Sequence, residues 1–168
     1  MEIRPRRDDD LDRCVALATI VKQQDDYPVY IARDLRSFLA VPGALGAWVA
    51  ETDPDIVGHV ALHPSSGKAV MELLSETTGL GPDDVAVVSR LMVSSAARGT
   101  GVARQLLAAA TGHAHSLGRQ PILDVDVRTE SAIILYERNG WQRLGSVTSR
   151  FPGGALDEYV YLGPAAES

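Results

Sequence analysis

The stretch from Val85 to Gly118 decides the fold, because it reads as a strand, a turn with two glycines and a helix in direct succession. Its sequence is VAVVSRLMV, then SSAARGTG, then VARQLLAAATGHAHSLG. The β-branched apolar run at the start predicts a strand. Apolar residues at helical spacing between Ala103 and Leu117 predict a helix, which Gly118 ends.

The turn between these two elements has a composition that favours phosphate binding. Gly99 and Gly101 lie on either side of Thr100, and the first N–H groups of the following helix have no helical partner. Backbone without a Cβ can approach a phosphate closely, and the positive end of the helix dipole attracts it. The spacing does not fit a Walker loop, which needs Gly-Lys-Ser/Thr, or the three-glycine dinucleotide fingerprint.

Two motifs resemble those of the GNAT superfamily of N-acetyltransferases. Arg98-x-x-Gly101-x-Ala103 resembles its acetyl-CoA signature, Arg/Gln-x-x-Gly-x-Gly/Ala. Residues 132–141, AIILYERNGW, resemble its second landmark, Ala-Ile-x-Leu-Tyr-Glu-x-x-Gly-Phe, with Trp141 in place of Phe. The resemblance covers most of the chain. It implies an α/β fold with a mixed, mostly antiparallel sheet, whose two parallel central strands splay apart, flanked by helices.

The remaining elements are predicted from hydrophobic periodicity and turn residues. We expect strands at 2–6, 44–51, 56–63, 121–128, 141–150 and 156–162. The first helix is expected to begin at a cap at Asp8 and to be interrupted at 22–28. Further helices are expected over 30–40, over 68–77, and from Thr129 or Ser131 to Arg138. Residues 64–84 look like an insertion relative to compact family members, and we interpret them as a lid, an acceptor wall or a solvated connector. Residues 1–163 form one predicted domain, and 164–168 form a short tail.

Composition limits the classes of function. The net charge of −6 argues against nucleic acid as a partner. No apolar run reaches the roughly 20 residues of a membrane helix, and the N-terminus lacks a signal-peptide core. A single cysteine, Cys14, allows no internal disulfide and is interpreted as core packing. We therefore expect a cytoplasmic protein without a membrane partner.

The resemblance implies a binding site for acetyl-CoA as cosubstrate, with no metal. The pantetheine arm would pair with the backbone of Leu91, Met92 and Val93. The residues implied for the pyrophosphate are those of the turn and the helix start, namely Arg98, Gly99, Thr100, Gly101, Val102, Ala103 and Arg104. Thr129 also belongs to the implied site; it stands where the family often has Asn, and its hydroxyl can still hydrogen-bond.

The resemblance also makes Tyr136 the residue that protonates or stabilises the coenzyme A sulfur, with packing beneath the cofactor as the alternative interpretation. The general base is not readable, because some family members use a glutamate where this chain has Ser89 and Arg90. The candidates are the polar residues that could line a cleft, namely Asp124, Asp126, Glu72, Glu76, His59 and His63, or a water chain. Asp124 and Asp126 lie on one face of a central strand, where a cleft wall or a solvated strand end would carry them.

The leading hypothesis is an acetyl-CoA-dependent N-acetyltransferase that acts on a primary amine, favouring a small molecule. Carboxylates at 25, 26, 72, 76, 124 and 126 predict that this acceptor is cationic. The alternative is a non-catalytic acyl-CoA-binding sensor or interaction module. We also allow for a homodimer, although the residues do not require one.

Overall fold

The computed structural model describes residues 1–167, and over these residues seven strands form one mixed sheet in the order β1-β2-β3-β4-β5-β7-β6. The strands are β1 (Glu2–Pro5), β2 (Gly46–Glu51), β3 (Ile56–His63), β4 (Val85–Val93), β5 (Gln120–Asp126), β6 (Gln142–Phe151) and β7 (Gly154–Leu162). The helices are α1 (Leu11–Asp25), α2 (Leu35–Leu39), α3 (Lys68–Thr78), α4 (Val102–Ser116) and α5 (Glu130–Arg138). Short 3-10 turns occupy Asp8–Asp10, Pro82–Asp84 and Ser95–Ala97.

The strand pairing confirms the predicted sheet. The β1–β2, β2–β3, β5–β7 and β6–β7 pairs are antiparallel, whereas β4 and β5 are parallel. The parallel register runs from Val85 opposite Gln120 to Val87 opposite Ile122. Within residues 1–167 this ladder goes no further, although β4 continues to Val93 and β5 to Asp126. The central parallel pair therefore separates after three residues, as the splayed fold requires.

Contacts group the chain into two compact units. The first contains residues 1–62 and 90–110. Its core is apolar and comes from α1, α2 and three strands, namely Cys14, Leu17, Ala18, Val21, Leu39, Val49, Ile56 and Met92. The buried Asp10 accepts hydrogen bonds from Arg4 at 2.8 and 2.9 Å and from Arg13 at 2.9 Å, so its charge is compensated.

The second unit contains residues 63–89 and 111–168, of which Ser168 lies outside the described residues. Leu74, Val85, Val87 and Ile122 form a core cluster there. Helix α3, predicted at 68–77, packs against β6 and β7 and extends to Thr78. That packing argues against a solvated connector for residues 64–84. The prediction of a single domain over 1–163, with its tail at 164–168, stays a prediction.

The predicted boundaries of two helices are wrong. Helix α1 begins at Leu11, after a 3-10 turn instead of a cap at Asp8, and it continues into the predicted interruption at 22–28 as far as Asp25. It ends where Asp26 takes the left-handed conformation and Lys22 bonds to the Asp26 carboxylate at 2.8 Å. Helix α2 starts only at Leu35, because the Asp34 carboxylate caps it by accepting the Ser37 N–H.

Candidate functional site

The glycine turn has the geometry that a phosphate-binding loop needs. Gly99 and Gly101 have φ angles of +78° and +85°, in the left-handed region that favours glycine. The Gln105 N–H donates to the Gly101 carbonyl at 3.1 Å and begins the α4 hydrogen-bond ladder. The amides of Val102, Ala103 and Arg104 therefore precede the first helical bond at the positive end of the α4 dipole.

The two arginines of this loop have different surroundings. Arg98 forms an ion pair with Asp25 at the end of α1, and about half of its side chain is exposed. A Cβ built on Gly101 would lie 3.7 Å from Arg104 Nη2, so the exposed Arg104 side chain lies over the loop. Of the two arginines predicted to bind phosphate, Arg98 would have to break its ion pair with Asp25 before it could do so.

The segment predicted to pair with the pantetheine arm ends strand β4. The Met92 side chain is buried in the core of the first unit, whereas Leu91 and Val93 are half-buried. Since the parallel ladder with β5 ends at Val87, the backbone of Leu91–Val93 lies outside that ladder. An extended ligand can bind beside a strand segment whose ladder has ended, by adding itself as a strand.

A residue in the left-handed backbone conformation directly precedes this segment. Arg90 has a φ of +53°, which is rare for a residue with a side chain. Its carbonyl lies 2.9 Å from His59 Nδ1, and His59 Nε2 lies 2.9 Å from Arg6 Nη1. Because both ring nitrogens of the fully buried His59 make hydrogen bonds, we remove it from the candidates for the general base.

In the second unit, Tyr136 lies on α5 and is 7% exposed. Its ring packs against Trp141 and Tyr161, each with a centroid distance of 6.0 Å. Thr129 is the N-cap residue of α5, is exposed and makes no side-chain capping bond. The aromatic contacts account for the orientation of the Tyr136 ring, and its role as an acid stays a prediction.

The two aspartates predicted on β5 have different partners. Asp126 forms a bidentate ion pair with Arg128, with a shortest distance of 2.7 Å. Burial raises the pKa of Asp126, but the hydrogen bonds from Arg128 outweigh burial and hold this pKa below its usual range. Asp124 accepts a hydrogen bond from Ser66 Oγ at 2.9 Å.

A third carboxyl group, Glu158, belongs to the same cluster and was missed in the sequence. It lies on β7 directly opposite Asp126 and diagonal to Asp124, is 8% exposed and accepts a hydrogen bond from Ser149 Oγ at 2.5 Å. Burial raises the pKa of Glu158 to about 8. The hydrogen bond with Asp124 and the negative charge of Asp124 act in the same direction. Burial beside a second carboxyl group therefore favours the protonated form of Glu158 at neutral pH.

Other base candidates are engaged elsewhere. His63 Nδ1 lies 2.7 Å from Ser89 Oγ, so the serine at the position of the family glutamate bonds to a histidine that is 5% exposed. Glu72 and Glu76 are exposed on α3.

Within residues 1–167, no three His, Cys, Asp or Glu side chains are grouped as metal ligands. No helix in this part of the chain has the length and apolarity to cross a membrane.

The predicted acidic rim is largely neutralised. Four of its six carboxylates pair with a cation, namely Asp25 with Arg98, Asp26 with Lys22, Glu72 with Lys68 and Asp126 with Arg128. The negative charge available to a ligand is therefore smaller than the sequence suggests.

The predicted residues fall into two sets. The cofactor set from Leu91 to Arg104 lies in the first unit, whereas Asp124, Asp126, Thr129 and Tyr136 lie in the second.

Glu158 shares one face of β7 with the apolar Leu156 and Val160. A carboxyl group on an otherwise apolar strand face is the signal that could have identified it.

Comparisons with known proteins agree with this geometry. A model of the acetyltransferase (GNAT) domain matches residues 44–143, which is more than half of the chain. A search of curated protein sequences found no significant match. Among solved structures, ribosomal-protein-alanine N-acetyltransferase from Brucella melitensis is 21% identical with a TM-score of 0.72, covering 96% of this chain and 98% of that one.

Two similar structures contain acetyl-CoA. The yncA protein from Salmonella typhimurium, solved with its cofactor acetyl-CoA, is 16% identical with a TM-score of 0.72, covering 100% of this chain and 95% of that one. Arabidopsis thaliana NAA60 in complex with acetyl-CoA is 18% identical with a TM-score of 0.71, covering 96% and 97%. These structures share the fold, and the domain match shows the family. The chain belongs to the GNAT acetyltransferase family.

Proposed function

We propose that the protein transfers the acetyl group of acetyl-CoA directly to a primary amine while both substrates are bound. The observation that carries the proposal is the GNAT domain match over residues 44–143, which contains the Gly99–Gly101 loop and the free amides of α4. In this proposal those amides bind the pyrophosphate, and Arg104 adds positive charge. The backbone of Leu91–Val93 pairs with the pantetheine arm.

Acetyl transfer to an amine requires two proton movements. The acceptor ammonium must lose a proton before its lone pair attacks the thioester carbonyl, and the departing sulfur must gain one. We assign the second step to the Tyr136 hydroxyl. We assign the first to the Asp124–Glu158 pair, because a group with a pKa of about 8 is a useful base near neutral pH.

The charge of this pair supports a cationic acceptor. Asp124 and Glu158 together hold one negative charge at neutral pH, which attracts a single ammonium group. Because most other carboxylates of the predicted rim are neutralised, we infer one amine and not a polycation. A small-molecule amine fits this charge, and a peptide N-terminus is the competing class.

The first experiment measures thiol release from acetyl-CoA with a panel of primary amines and peptides. Tyr136→Phe should lower kcat and kcat/KM together by about 10²-fold, with coenzyme A affinity nearly intact. Tyr161→Phe is the matched control, since it keeps the ring contact with Tyr136 while losing a different hydroxyl. Full turnover by Tyr136→Phe would reduce Tyr136 to a packing role.

The second experiment separates the carboxyl pair from the amine. The acidic limb of the pH profile of kcat/KM should lie near pH 8 for amines of different pKa, including weakly basic ones. Glu158→Gln should lower the rate about 10²-fold or more, whereas Asp157→Asn, which removes the adjacent exposed charge, should not. A limb that follows the pKa of each amine would contradict the assignment of the pair.

A non-catalytic acyl-CoA-binding module is the alternative function. It is favoured by Ser89 and Arg90 at the position of the family glutamate, since Ser89 bonds to His63 and Arg90 to Phe38. Coenzyme A binding without thiol release for any amine would support this alternative. The cytoplasmic location and the homodimer stay predictions.

A further inference from the structure

The hydrogen bonds of His59 fix its protonation state. A guanidinium group can only donate, so His59 Nε2 must accept the bond from Arg6 Nη1 at 2.9 Å. The ring proton therefore lies on Nδ1, which donates to the Arg90 carbonyl at 2.9 Å. Arg6 is itself anchored by donating to the Leu39 carbonyl at 2.8 Å. His59 is thus a neutral, buried donor with a single orientation.

Its acceptor is the strained residue of β4. A side chain at a φ of +53° raises the energy of the Arg90 backbone, so surrounding contacts must maintain this conformation. Besides the bond from His59, Arg90 Nε donates to the Phe38 carbonyl at 3.2 Å. The guanidinium also lies 4.4 Å from the centre of the Phe38 ring.

The strained residue Arg90 directly precedes the proposed cofactor-binding segment. A left-handed residue within a strand bends it and interrupts its ladder, and Arg90 lies between the end of the parallel ladder at Val87 and the segment Leu91–Val93. We propose that His59 is a positioning residue for acetyl-CoA: its bond to the Arg90 carbonyl holds the bend that presents the Leu91–Val93 backbone to the pantetheine arm. This inference rests on the proposed cofactor site.

The test compares two substitutions that remove the same side chain. Arg90→Ala and Arg90→Gly both lose the Phe38 contacts, but only glycine takes a positive φ without strain. Coenzyme A binding, measured by calorimetry, should therefore be about three- to tenfold tighter in Arg90→Gly than in Arg90→Ala. Equal affinities would show that the bend is irrelevant to binding and would overturn the proposal.

His59→Leu should weaken coenzyme A binding about tenfold, the scale of one buried hydrogen bond, with a much smaller change in acceptor KM. In the Arg90→Gly background the same substitution should cost about twofold or less, because glycine no longer needs the restraint. An equal loss in both backgrounds would assign His59 to core packing and overturn the proposal. If His59→Leu does not fold, His59→Gln, which keeps a side-chain N–H donor but removes the ring, is compared in the same two backgrounds, and an equal loss in both would overturn the proposal.

The binding assay also separates this inference from the proposed function. Wild-type protein that binds coenzyme A but transfers no acetyl group would contradict the proposed reaction and leave the role of His59 standing. Wild-type protein that does not bind coenzyme A would overturn both.

Discussion

Gly58 on β3 lies directly against Val102 and Leu106 of α4, and Gly58→Ala tests what this close packing does. A Cβ at this position would lie 2.7 Å from Leu106 Cδ1, 3.0 Å from Val102 Cγ1 and 3.3 Å from the Ala50 Cβ. Leu106 is fully buried, and Val102 is β-branched and stiff, so neither side chain can simply rotate away. The helix itself must therefore move by a few tenths of an ångström.

The magnitude follows from this crowding. Overpacking a core by one methyl group typically costs about 1–3 kcal/mol, which for a domain of this size lowers Tm by roughly 3–10 °C. Val102 is the first residue of α4, so the displacement reaches the proposed phosphate-binding amides. We expect the KM for acetyl-CoA to rise several-fold, with a smaller change in the acceptor KM.

Thermal unfolding and initial rates at varied acetyl-CoA measure both effects. Gly112→Ala is the matched control on the same helix, because a Cβ there would meet no atom within 4 Å. That control should raise stability by about 0.5–1 kcal/mol, since alanine favours helix over glycine. An unchanged Tm and an unchanged acetyl-CoA KM in Gly58→Ala would refute the packing argument.

Three further predictions concern charged groups. Asp10→Asn should destabilise by about 3 kcal/mol at pH 7, because the largely buried Arg4 guanidinium loses its closer carboxylate and keeps only Glu51 at 3.2 Å. Since Arg4 lowers the pKa of Asp10 in the folded state, the wild type should lose this advantage as pH falls below about 4, which urea unfolding at several pH values measures. Asp25→Asn should release Arg98 and tighten coenzyme A binding about two- to fivefold, the scale of an exposed ion pair; unchanged affinity in calorimetry would count against Arg98 as a phosphate ligand. Glu158→Gln should be more stable than the wild type by roughly 3 kcal/mol at pH 9 but not at pH 5. The pKa of Glu158 is raised in the folded state, so the wild type loses stability as pH rises through about 8, whereas the glutamine variant does not. Parallel curves of Tm against pH for the two proteins would contradict the raised pKa.

Local pattern was sufficient for the elements whose burial and turns agree along the chain. The β-branched apolar run at 85–93 and the glycines before α4 predicted the strand, the loop and the helix start correctly, because each depends on neighbours in sequence. The same reasoning failed for residues 30–34, which precede α2. There the Asp34 cap starts the helix later than periodicity suggests.

The sequence by itself determined the family, the order of elements and the loop with two glycines, because glycine spacing and hydrophobic period are local properties of the chain. Only the tertiary structure decided which charges are available. It pairs Asp25 with Arg98 across 73 positions and brings Glu158 from β7 beside Asp124 of β5. It also places the His59 ring on the Arg90 carbonyl, 31 positions away. Such partners come from strand register and helix packing, and the pKa and orientation of a side chain depend on neighbours that are distant in sequence.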